Sequence, residues 1–361
     1  MLNKQNQWAK MLLTVIMLMM GVSITIAQDA AIPVTPQPDG QLCWSYTEAQ
    51  LPNEETFEGF IDEIGMGNGI YTNYELVSPT IGLLGFGVYS SPDGGDISLK
   101  LQVYSPEERT QYIRYLLLIN EKQFPIMLDG VETLFLDAVL EPQQLLSYSI
   151  SLPILEAGTH DIVLLTLPDV QSPPDSTGRL GISSHRLTLV VGQPTPNLLD
   201  YQRPQAASND SMEGGQLTLI IGEALTQWSY PEPKHVLASG RPLEFNVLAG
   251  YSGKTVADQN LPDPEISHFA LLTFLDFVQV PIADNADVFY IEVDRDNNYS
   301  RIPIRLDLTG INVEIDHEVL VVRIDYPRIP MCILQGPMDG YFLNYEATYN
   351  RAAFGILPAS E

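Results

Sequence analysis

The chain reads as all-β, and three observations say so. Strand-like runs, either alternating or wholly apolar, fill most of it, and no amphipathic stretch exceeds three helical turns. Its 27 prolines and 26 glycines are spread along the sequence rather than massed, as many short strands joined by turns require. The same order of strand signals also occurs twice.

In the first pass, residues 97–104 alternate apolar and polar, as a half-buried strand must. After a polar turn, residues 112–126 form a long apolar strand ending Gln123-Phe124-Pro125-Ile126. Strand-like runs follow at 133–140, 148–152, 160–167 and 186–191. In the second pass, residues 243–247 open the series. Residues 269–282 are the long apolar strand, ending Gln279-Val280-Pro281-Ile282. Runs at 288–293, 300–306, 317–324 and 341–349 complete it. A shift of 156 superposes the Gln-x-Pro-Ile ends, and a shift of 157 superposes His160-Asp161 on His317-Glu318. The two spacings agree, so the sequence predicts an internal duplication.

Each unit has six or seven short strands with turns at intervals of about 8–12 residues, the rhythm of an immunoglobulin-like, Greek-key sandwich. The Cys…Trp…Cys signature of antibody domains is absent, and a jelly roll is the rival architecture. The expected organisation is a leader over residues 1–27, an extension over 28–78 and a first sandwich over 79–193. A polar linker over 194–215 and a second sandwich over 216–361 follow. Within the extension, 41–46 reads as a strand and 54–64 as a short helix or loop, with a turn at 65–69.

Lys4 and Lys10 precede an apolar run over 11–27, and Thr25 and Ala27 supply small residues at positions −3 and −1. That is the layout of a cleaved secretory signal. An uncleaved membrane anchor is the alternative, and only then does the chain touch a membrane. The expected location is therefore secreted or cell-surface. The net charge of −27 (45 acids against 18 bases) excludes the basic footprint that nucleic acid needs. Cys43 and Cys332, an even pair in an exported chain, read as a disulfide, with two free thiols as the other state. Such a bridge would close a loop of 289 residues and stabilise by up to about 5 kcal/mol.

Four groups carry candidate chemistry. Asp294, Asp296 and Asn298 place oxygens at positions 1, 3 and 5 of a loop, the spacing that wraps Ca²⁺. Tyr299 and Arg305 stand where an EF-hand has Gly and Glu, so a capped hairpin turn is the simpler reading and calcium the sharper one. His160-Asp161 and His317-Glu318 are the repeated titratable pairs. Neighbours on a strand face opposite ways, so scaffold bonding from each His to a nearby loop is expected rather than acid–base catalysis. Trp228 and Tyr230 are the best aromatic pair for gripping a sugar or protein surface. Nucleophile elbows, phosphate loops and dinucleotide motifs are missing.

The function expected from sequence is an exported, non-enzymatic binding or structural module of the bacterial cell exterior, its protein or glycan partner unspecified. A carbohydrate-binding or carbohydrate-acting protein and a calcium-stabilised adhesin are the two rivals.

Overall fold

Residues 98–104, read as half-buried, form a strand whose side chains alternate strictly between core and solvent in the computed structural model of the chain. The structure describes residues 70–85, 87–128, 130–172, 183–192, 199–204, 217–221, 224–225, 235–238, 242–250, 266–282, 286–294, 299–309, 311–312, 314–328 and 348–357. The leader, the 41–46 and 54–64 segments, Cys43 and Cys332, Trp228 and Tyr230, and Asp296 and Asn298 lie outside them.

No helix occurs among the described residues. The first half contributes β1 (Tyr71–Val77), β2 (Gly82–Gly85), β3 (Val88–Ser91), β4 (Ser98–Tyr104), β5 (Gln111–Ile119), β6 (Lys122–Phe124), β7 (Ile126–Leu128), β8 (Val131–Thr133), β9 (Leu136–Leu140), β10 (Leu145–Ser151), β11 (Gly158–Pro168) and β12 (Ser183–Val191). The second half contributes β13 (Leu217–Ile221), β14 (Ala224–Leu225), β15 (His235–Ala238), β16 (Leu243–Gly250), β17 (Ile266–Leu275), β18 (Val278–Val280), β19 (Phe289–Asp294), β20 (Tyr299–Leu306), β21 (His317–Asp325) and β22 (Thr348–Leu357).

In the first half a small sheet, β1-β4-β10, faces a large one, β2-β3-β12-β11-β5-β6, with β9 also on β5. In the second half β14-β13-β16-β20 faces β15-β22-β21-β17-β18, with β19 also on β17. Apart from β2, β14 and the separate β7-β8 pair, the strand orders of the two halves correspond. Even the parallel pairs match, since β3 runs parallel to β12 and β15 parallel to β22. Central strands drawn from both ends of each half, with crossovers between the sheets, make this the Greek-key sandwich of immunoglobulin-like domains.

The two long apolar strands are each a hairpin instead. β5 stops at Ile119 and β6 returns beside it, while β17 stops at Leu275 and β18 returns. The reason is local. Asn120 and Asp276 accept the left-handed backbone at φ of 51° and 49°, and Glu121 and Phe277 follow at 63° and 70°. Consecutive left-handed residues make the two-residue turn whose twist matches a hairpin. Glycine is the usual second residue, so the large side chains there carry a conformational cost.

Three apolar layers result. Leu99, Leu101 and Val103 meet Ile113, Tyr115, Leu117 and Leu164 inside the first sandwich. Phe245, Val247, Phe269, Leu271, Ile302, Ile304 and Val321 fill the second. The third joins the sandwiches: Leu116, Leu118, Val163 and Leu165 from the outer face of β5 and β11 pack on Leu272, Phe274, Leu320 and Val322 from β17 and β21. This explains why β11 is buried along nearly its whole length while β4 alternates. A sheet covered on both faces has no polar side to show. Each fully buried Leu or Val contributes about 1.5–3 kcal/mol, so the shared layer is a substantial part of the fold.

Candidate functional site

The twin hairpin turns deliver side chains to the junction between the sandwiches. Gln123 on β6 and Gln279 on β18 meet there reciprocally. The Gln123 amide N–H donates to Gln279 Oε1 at 2.5 Å, and the Gln279 N–H donates to Gln123 Oε1 at 2.7 Å. Gln123 Nε2 donates to the Phe277 and Leu134 carbonyls at 2.9 and 3.0 Å. Gln279 Nε2 donates to the Glu121 and Asp287 carbonyls at 3.0 and 3.1 Å. Both side-chain amides therefore use all their hydrogens. Each glutamine does to the other half what its counterpart does in return, the pattern of an isologous interface.

The repeated His pairs are scaffold, as the sequence reading expects. His160 Nε2 lies 2.7 Å from the Glu156 carbonyl and Nδ1 lies 2.8 Å from Asn120 Nδ2. Asn120 Oδ1 accepts from the Asp161 N–H, which fixes its amide and makes His160 Nδ1 an acceptor. His317 Nε2 lies 2.6 Å from the Asn312 carbonyl, and Nδ1 lies 2.6 Å from Asp276 Oδ2. Each ring ties the turn of its own hairpin to the start of β11 or β21.

Beside the glutamines the two halves differ. Position 277 is Phe, stacked under the Arg114 guanidinium, which also covers Phe135 at 3.7 Å and is held by Asp137. Its counterpart, Glu121, is wholly buried. Glu121 Oε2 accepts from Arg328 Nη2 at 2.8 Å, Arg328 Nε at 3.0 Å and the Tyr290 hydroxyl at 2.8 Å. Asp161, also wholly buried, accepts on Oδ2 from Arg186 Nη2 at 2.7 Å and from the Arg328 backbone N–H. Arg186 reaches across to donate to the Asp325 and Tyr326 carbonyls at 2.6 and 2.8 Å. The turn it grips is strained, with Tyr326 and Arg328 at φ of 47° and 60°.

A strip from between the sandwiches closes one side. Gln202 pairs with Ile291 in parallel, and Tyr201 packs edge-on against His268 and Tyr290 with centroids 4.5 and 5.9 Å away. Arg203 and His268 pair with Glu292. Burial, together with the facing Asp161, pushes the Glu121 carboxyl up against the pull of Arg328 and Tyr290. Burial and the charge of Glu121 push the Tyr290 and Tyr201 hydroxyls up as well, so both stay protonated donors.

Among the junction groups the sequence marked Gln123 and Gln279 as repeat ends and the His160 and His317 pairs, and it missed Glu121, Arg186, Tyr290 and Arg328. The available signal for Glu121 was a charged residue inside the apolar run 112–126. Among the sequence candidates, Asp294 ends β19 opposite Ile266. Among the described residues, no three His, Cys, Asp or Glu side chains gather as a metal cage.

No family model matches the chain, and no curated protein is similar to it in sequence. Among solved structures it is similar to CBD12 from CALX1.2, at 10% identity and a TM-score of 0.18, over 75% of this chain and 97% of that one. It is also similar to the fibronectin(III)-like modules of Clostridium thermocellum CbhA, at 9% identity and a TM-score of 0.18, over 79% of this chain and 94% of theirs. Likenesses so loose carry no argument about this chain.

Proposed function

We propose that the chain is a non-enzymatic module of the bacterial cell exterior, exported by its first 27 residues, in which two sandwiches form one rigid body that positions a binding surface. The observation that supports this most directly is the junction. Its acids and bases are spent on one another: Glu121 on Arg328 and Tyr290, Asp161 on Arg186. Groups held that way orient domains and are not free to move protons to and from a substrate. The acidic balance, −27 overall, suits a soluble surface that repels anionic polymers.

Expression of the full chain in a bacterial host, followed by fractionation and N-terminal sequencing, tests the export half of this reading. Recovery outside the cytoplasm with Gln28 as the first residue is the expected result. A chain that stays in the cytoplasm with its leader intact contradicts it.

A further inference from the structure

Three buried oxygens on the first half's side of the junction have no hydrogen-bond partner on the protein: Glu121 Oε1, Asp161 Oδ1 and Thr188 Oγ1. Their residues belong together. Arg328 bonds both carboxylates, through its side chain to Glu121 and its backbone to Asp161. Thr188 is the cross-strand partner of Asp161 on β12, so the two side chains leave the same face of the sheet. All three residues are wholly buried. The other oxygen of each carboxylate is engaged, which leaves Oε1 and Oδ1 as the acceptors still to be met.

We propose that this spot is a binding site for a single structural water, which donates one hydrogen to Glu121 Oε1 and one to Asp161 Oδ1 and accepts the Thr188 hydroxyl. Three bonds are what a buried water in a folded protein typically makes. The three oxygens suit one water: two acceptors that lack donors, and one hydroxyl that lacks an acceptor. Charge argues against an ion. Glu121 and Asp161 stand against Arg186 and Arg328, and the facing tyrosines are neutral, so the cluster is balanced as it is. An added cation or anion would leave one uncompensated charge in a dry interior. A neutral molecule with two hydrogens leaves the balance intact. It also screens the two carboxylates from each other, the contact that helps to push the Glu121 carboxyl up.

The water bonds three groups of the first half, and Arg328 of the second half holds both carboxylates beside it. Thr188→Val and Thr188→Ser test it in the full chain, since valine matches threonine in shape and serine keeps the hydroxyl. With the water present, Thr188→Val lowers the melting midpoint by several degrees and Thr188→Ser keeps most of it. A crystal structure of the wild-type chain then shows one oxygen within hydrogen-bond reach of all three atoms. An empty site in that map overturns the proposal. So does a Thr188→Val variant as stable as wild type or more so, the behaviour of a bare hydroxyl removed. A midpoint that climbs when sodium or ammonium chloride replaces choline chloride at equal ionic strength overturns it too, by assigning the site to a cation.

Discussion

His185 stands on β12 with its ring 4.5 Å from that of Tyr74, and burial drives its pKa down to about 4. The unfolded chain holds the same imidazole near 6.5. Above about pH 6.5 neither state is protonated there and stability does not change with pH on this account. As pH falls from 6.5 toward 4, the unfolded state takes up the proton and the folded state does not, so stability falls by about 1.4 kcal/mol per unit, or on the order of 3 kcal/mol in all. Urea midpoints for wild type and His185→Gln, taken at pH 7 and pH 4.5, measure it. The wild-type loss exceeds the variant's if burial keeps the ring neutral, and equal losses would remove His185 from the account. At this scale the sequence was half legible. It marked His160 and His317 by their repetition, and both turn out to tie loops. It did not mark Glu121, which fell inside what reads as one long strand and whose partner, Arg328, is 207 residues away.

The hairpins are the elements on which the junction depends. Their turns put two residues each into left-handed backbone, and the strands after them carry the reciprocal glutamines. Gln123→Ala leaves the Gln279 N–H without its acceptor and the Phe277 and Leu134 carbonyls without that donor. Gln279→Ala does the same to the Gln123 N–H and the Glu121 and Asp287 carbonyls, and each change costs about 1–3 kcal/mol. Each side chain bonds the other residue's backbone and not its side chain, so the double variant loses both sets of bonds and its cost is close to the sum of the singles. A double-mutant cycle from urea unfolding reads this directly, and a double variant no less stable than either single would contradict it. The matched Gln-x-Pro-Ile ends were visible in sequence as a repeat. That the two copies touch was not, because a repeat says which positions correspond and not whether they meet. Continuous apolar character across 112–126 likewise hid a turn, since Asn120 and Glu121 lack the Asn-Gly signature that usually announces one.

Across the described residues, two Greek-key sandwiches share a third apolar layer, and a buried charge cluster bonds one half to the other. The all-β class followed from alternation and turn spacing, which are local properties. The layer between the sandwiches did not, because outward-facing leucines on β5 and β11 read as ordinary core until a second sheet is known to cover them. Its consequence is thermodynamic coupling, since neither half can unfold without exposing Leu116, Leu165, Phe274 and Val322 together. Scanning calorimetry of the full chain is therefore the most direct measurement of whether the two sandwiches are one body. A single transition whose calorimetric and van't Hoff enthalpies agree is the expected result. Two resolved transitions, each with the enthalpy of one sandwich, would contradict it.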